Sequence, residues 1–165
     1  MSSTTVKTVR DGQLTLKDGT GTPVTLVVDY EGEGNFTFSD DKAERLTIMD
    51  RGSIVGCRKQ NDVVKSASFS VNMRQFTDSA GAGSIIDFLM KTGHYASNVS
   101  TGGSAFGDFY LIDIEFRVEG TDFGDTGDHF ANLTKCLASY DFAEGFPDVL
   151  NINLEVYGTI TRSQA

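Results

Sequence analysis

Along residues 65–74 the side chains alternate without a break. Ala67, Phe69, Val71 and Met73 point one way, and Ser66, Ser68, Ser70, Asn72 and Arg74 point the other. Period two over such a run predicts a half-buried β-strand. Residues 78–83, Asp-Ser-Ala-Gly-Ala-Gly, then break the ladder, because glycine relaxes φ and offers nothing to pack. Ser84 reads as a helix N-cap, with Asp87 as a short-armed capping-box partner. Ile85, Ile86, Phe88, Leu89 and Met90 form an apolar band too wide for a surface helix, and Gly93 is placed to end it. A helix of about nine residues does not stand alone in water, so a sheet must hold it.

The rest of the chain supplies that sheet. Residues 13–17, with Leu14 and Leu16 on one face, and residues 22–30, with Val24, Leu26, Val28 and Tyr30 aligned, flank a glycine turn as a hairpin. Residues 108–119 alternate clearly, with Tyr110, Ile112, Ile114, Phe116 and Val118 opposed by Asp113, Glu115, Arg117 and Glu119. Residues 130–142 carry a mixed signal. Phe130, Leu133 and Leu137 fit a helical stripe, whereas Cys136, Ala138, Tyr140 and Phe142 fit a strand. Strand is the reading taken, since Asn132 and Thr134 are weak helix formers. Residues 149–161 close the chain as one strand with Leu150, Ile152, Leu154, Val156 and Ile160 inward. The expected architecture is mainly β. It is one domain over residues 1–165, an antiparallel sandwich or barrel of seven or eight strands with one short helix and a polar arm at residues 1–10.

Residues 31–64 stand apart. They form a long excursion, punctuated by charges and glycines, that still carries Phe36, Phe38, Leu46, Ile48 and Ile54. Excursions of that length are uncommon in compact domains and are usually functional. This one needs a surface to lie on, and another copy of the chain is the expected provider. Phe36, Phe38, Leu46, Ile48 and Arg51 are the candidate inter-subunit residues.

Charge narrows the partners. A net charge of −9 argues against a nucleic-acid-binding face and against an anionic membrane. The start of the chain has no apolar stretch of the signal-peptide kind, and no apolar run approaches the ~18 residues of a membrane span. Cys57 and Cys136 have no CxxC spacing, so two buried, reduced thiols are expected.

Candidate chemistry is thin. His94 and His129 are the only histidines and share no metal-ligand spacing. Asp122, Asp125 and Asp128 recur every third residue but lack the EF-hand pattern and its terminal Glu. Gly81, Gly83 and Ser84 precede the helix without a Walker lysine, and no serine sits in GxSxG. No enzyme activity, cofactor or metal is expected. What stands out is the polar strand faces, which suggest an acidic surface kept wet where a polyanion must not stick.

The order of these elements resembles that of bacteriophage tail tube proteins. The resemblance is carried by Asp50-Arg-Gly-Ser-Ile-Val-Gly56, by the strand at residues 66–74 and by the Ile85-Ile-Asp-Phe-Leu helix. Asn132-Leu-Thr-Lys-Cys136, then Asp141-Phe-Ala-Glu-Gly145 leading into the final alternating strand, complete it. It implies a virion structural protein that self-assembles into hexameric rings stacked as a hollow tube, with sheets continuous across subunits. A long loop after the first hairpin would cross to neighbouring subunits. Further partners implied are tape measure, tail terminator and baseplate proteins, and a sheath if the tail contracts. The location implied is the virion tail, reached from the host cytoplasm. DNA would pass without specific binding, since six copies at −9 make roughly −54 per ring. The lumen candidates are Ser66, Ser68, Ser70 and Asn72 with Asp113, Glu115 and Glu119. Type VI secretion tubes share the fold implied. A monomeric β-barrel that holds a small apolar ligand is the competing reading.

Overall fold

The computed structural model describes residues 12–28, 34–41, 43–78, 84–121 and 124–165. The arm at residues 1–10, Tyr30, the glycine turn at residues 79–83 and Asp122 lie outside them. The chain is mainly β, as its patterning predicts. Its elements are β1 (Gly12–Lys17), β2 (Thr25–Val27), β3 (Thr37–Phe38), β4 (Arg45–Asp50), β5 (Ser53–Lys59) and β6 (Lys65–Asn72). Helix α1 (Ile85–Met90) follows, then β7 (Leu111–Val118), β8 (His129–Ala143), β9 (Val149–Val156) and β10 (Ile160–Gln164). The described residues form ten strands where seven or eight are expected. The excess comes from the excursion, which pairs with itself, and from the last strand, which breaks at Tyr157–Thr159 into β9 and β10.

Eight strands make one antiparallel sheet in the order β2-β1-β7-β8-β9-β6-β3, with β10 also on β8. The sheet folds over on itself at β8. The first part of β8 pairs β7 on one edge and β10 on the other, whereas its last part pairs β9. Lys135 marks the change, with φ at +53°. Its N–H donates to the Asp113 carboxylate at 3.0 Å, and its carbonyl accepts from the Tyr157 N–H at 3.0 Å. This is a β-bulge: one extra residue, a bend and a sharper twist. Gly158 lies against it so closely that a Cβ would sit 2.2 Å from Thr134 Oγ1, so only glycine fits there.

The bend brings the apolar faces together. Leu14, Leu16, Ile114 and Leu133 from one half meet Phe69, Leu150, Ile152 and Leu154 from the other in a single core. Phe36 bridges the halves, its ring 5.5 Å from Phe116 and 6.4 Å from Phe69.

Helix α1 is shorter than its pattern suggests. Ser84 does cap it, accepting from the Asp87 N–H at 3.3 Å. The helix ends at Met90, however, with Lys91 in the left-handed region, and Gly93 instead opens a 3-10 turn over Gly93–Tyr95. Asp87 does not reach back to complete a capping box. Its carboxylate is buried and accepts from the Asp78 N–H at 2.7 Å, Thr92 Oγ1 at 2.7 Å and Thr77 Oγ1 at 3.1 Å. A Cβ on Gly93 would come within 2.3 Å of it. Asp18 does the same at the other end of the loop system. It accepts from the N–H groups of Val24 (2.7 Å) and Val99 (3.1 Å) and from Thr20 Oγ1 (2.8 Å).

Burial raises the pKa of both carboxyls. The hydrogen bonds outweigh it, from Asp78, Thr92 and Thr77 on Asp87 and from Val99, Thr20 and Val24 on Asp18, and hold both below the ordinary 3.8. Depressed values mean stability that is complete above the unfolded-state pKa near 4 and is lost as pH falls below it. Asp87→Asn turns an amide N–H toward these donors and is expected to cost about 2–4 kcal/mol at pH 7. It should also flatten part of the stability loss below about pH 4. Urea unfolding at pH 7 and pH 3 measures both, and an unchanged midpoint at pH 7 would show that the carboxylate holds nothing.

Candidate assembly surfaces

The outer face of the β6–β9–β8 half-sheet is a wall of small polar groups. Antiparallel register sets Ser68 opposite Asn153 and Asn153 opposite Ser139, with Thr37 on the far side of Ser68. Ser70, Asn151 and Asp141 form the next row. The rows are knitted sideways: Thr37 and Ser68 hydroxyls lie 2.9 Å apart, Ser70 Oγ donates to Asn151 at 2.7 Å, and Asn153 donates to Asp141 at 3.2 Å. Ser66, Ser68, Ser70 and Asn72 thus share one face, as the alternation of β6 predicts. Their neighbours Asn151, Asn153, Ser139 and Asp141 are part of the same wall. Their polarity is visible in the sequence, but only the pairing register places them there.

Asp113, Glu115 and Glu119 do not extend this wall as free carboxylates. Asp113 is used by the bulge. Glu115 pairs with Lys17 at 2.7 Å. Glu119 accepts from Arg117 at 3.3 Å and from the Thr121 hydroxyl. Arg117 also donates through Nε to Asp128 at 2.6 Å, and the Gly120 N–H and Arg117 together depress the Asp128 pKa. Asp125 is bound to His129 at 2.9 Å. The described carboxylates of β7 and of the following turn are therefore spent on local cations and backbone donors.

The excursion resolves into two parts. Phe36 is half-buried in the core and Phe38 only borders it, 5.8 Å from Phe36. Phe36 therefore packs against the chain's own core instead of lying free on the surface as an inter-subunit candidate would. Leu46, Ile48 and Arg51 belong to the β4–β5 hairpin, which pairs with no other strand among the described residues. Every described residue of that hairpin is exposed except the half-exposed Gly56. Leu46 is 54% exposed, Val55 62% and Ile54 73%. Its turn is the two-residue Arg51–Gly52, with φ of +47° and +82°, the pattern of a type I′ hairpin. The hairpin is anchored where the Gln60 N–H donates to the Glu44 carbonyl at 2.7 Å. Between it and the body runs an open cleft of about 750 Å³, lined by Arg45, Arg58 and Lys59 on one side and by Asp40, Lys65 and Tyr157 on the other.

The interior offers much less room. A cavity of about 60 Å³ lies between the ends of β2 and β6 and the start of the helix, lined by Leu26, Val28, Val71 and Ile85 among others. That is far below the ~300 Å³ at which small-molecule pockets begin. No group of three or more His, Cys, Asp or Glu side chains among the described residues is arranged to hold a metal ion. No protein-family model and no curated protein matches the chain, so geometry carries the functional reading.

The cysteines differ from the expected buried pair. Cys136 is fully buried, and burial, with Asp113 nearby, pushes its thiol up to about 12. Cys57 is exposed on β5 instead, because the hairpin that carries it has no core beneath it. In the isolated, folded chain, iodoacetamide at pH 8 is expected to label Cys57 within minutes and Cys136 only after denaturation. Peptide mass spectrometry reads both sites, and equal labelling of the folded chain would contradict the burial of Cys136.

Proposed function

We propose that the chain is a structural protein of the tail-tube kind, whose copies assemble into rings that stack into a hollow conduit for DNA. The observation that carries this reading is the β4–β5 hairpin. A two-stranded ribbon is marginal by itself in water, and contiguous apolar side chains exposed on both faces mark an interaction surface. Covering Leu46, Ile48, Ile54 and Val55 with another copy gives the ribbon what its own body withholds.

Two further features favour the conduit. The polar wall presents hydroxyls and amides held to one another rather than cations that would grip a phosphate backbone. The net charge of −9 repels a polyanion at long range. The ligand-binding barrel is disfavoured by the small interior cavity.

Replacing residues 45–59 with a short Gly-Ser turn should leave a folded monomer that no longer polymerises, because Glu44 and Gln60 already meet at the base. Analytical ultracentrifugation and negative-stain microscopy compare it with the full chain. Tubes formed without the ribbon would sink the proposal. Ser68→Lys with Asn153→Lys should leave tube length unchanged but slow DNA exit from complete particles by about tenfold or more, through phosphate binding in the bore. Normal ejection by such particles would place the polar wall on the outside.

A further inference from the structure

The charges of this protein are unevenly shared, and the division has a direction. The β4–β5 hairpin, residues 45–59, carries Arg45, Arg51, Arg58 and Lys59 against Asp50 alone, a net +3 on a chain of −9. Lys59 pairs with Asp62, while Arg45, Arg51 and Arg58 make no ion pair among the described residues. Arg51 is an exposed, non-glycine residue held at positive φ in the hairpin turn. Asn or Gly would sit there with less strain, so the arginine is better accounted for by what it meets than by the turn.

The opposite pole has the opposite character. The end of β8 and the turn that follows it, residues 141–148, carry Asp141, Glu144 and Asp148 with no basic residue, a net −3. Phe146 is fully exposed in that turn, and Phe142 and Phe76 stack edge to face at 5.3 Å beside it, 40% and 55% exposed. The two features are separated by the length of β9. The acidic turn precedes Val149, whereas the hairpin's cleft opens at Val156 and Tyr157, roughly 23 Å away at about 3.3 Å per residue.

Resting on the ring-stacking reading above, we propose that the cationic β4–β5 hairpin of one copy docks on the acidic, aromatic β8–β9 turn of another. The aliphatic side chains Leu46, Ile54 and Val55 would cover Phe76, Phe142 and Phe146, while Arg51 and Arg58 face Asp141 and Glu144. Donor and acceptor are different surfaces, with the hairpin's base and the acidic turn at opposite ends of β9, so the contact is heterologous and propagates head-to-tail. It is the axial contact of the assembly. Charge complementarity sets its register and suppresses tail-to-tail pairing, because like poles repel.

Two charge-reversed chains test this. The arm variant carries Arg51→Glu and Arg58→Glu, and the tip variant carries Asp141→Lys and Glu144→Lys, all at exposed positions. Circular dichroism checks that each is folded, and light scattering with negative-stain microscopy follows assembly. Each variant alone is expected to raise the concentration needed for assembly about tenfold or more, since like charges then face each other. An equimolar mixture should assemble again, because each arm finds a tip of opposite sign on the other chain. If either variant assembles alone as the unaltered chain does, or the mixture stays monomeric, the docking contact is wrong while the ring-stacking reading stands. If the unaltered chain forms no multimer at any concentration, both fail.

Discussion

Strand β8 is too long to lie in one flat layer, and the bulge at Lys135 settles what it does instead. Fifteen residues at about 3.3 Å each span nearly 50 Å, well beyond a typical strand. Bending it at Lys135 lets one strand serve two half-sheets, and the left-handed residue is held there by Asp113 on one side and Tyr157 on the other. The extra residue also shifts the alternation by one. Leu133 faces the core before the bulge, and Cys136 faces it afterwards, three positions on rather than two. Without that shift, Ala138 and Tyr140 would turn outward, and Ser139 and Asp141 would be driven into the core.

The same shift explains what the sequence conveyed and what it hid. Alternation in β6 and β9 is unbroken, so their buried and polar faces can be read directly from Ala67–Val71 and Leu150–Val156. In β8 the phase slips mid-strand, so Leu133 and Cys136 share the core face three positions apart and no single alternation covers the strand. Asp87 was legible as a helix-start residue, but the partners it takes, Asp78, Thr77 and Thr92, are brought to it by a folded loop. Phe36 looks like part of an excursion in need of another copy's surface because two of its three aromatic partners lie far along the chain, in β6 and β7. Local pattern carries local geometry, and long-range pairing has no local trace.

Charge shows the same separation between total and placement. The acidic stripe expected on β7 exists as residues, yet Lys17, Arg117 and the Lys135 backbone absorb it. Repulsion at short range depends on unpaired charge, and paired carboxylates contribute mainly through the net field of the whole body. The β8–β9 turn and the arginines of the hairpin are where unneutralised charge remains concentrated. A net value of −9 conveys neither location.

Stability is divided along the same line. The folded-over sheet has a core bridged by Phe36 and loops pinned by Asp18 and Asp87, so its order is self-contained. The β4–β5 hairpin has only its own ladder and the junction at Glu44 and Gln60. Its apolar side chains gain about 25 cal/mol for each Å² removed from water, and almost none of that gain is available within its own subunit. In the proposed assembly the order of the ribbon would be coupled to association, since whatever covers Leu46, Ile54 and Val55 would supply both the affinity of the contact and the rigidity of the ribbon. A body with its own core and a ribbon that is made rigid by docking would keep folding and association separate. In the assembly proposed above, that separation would let subunits accumulate before they polymerise.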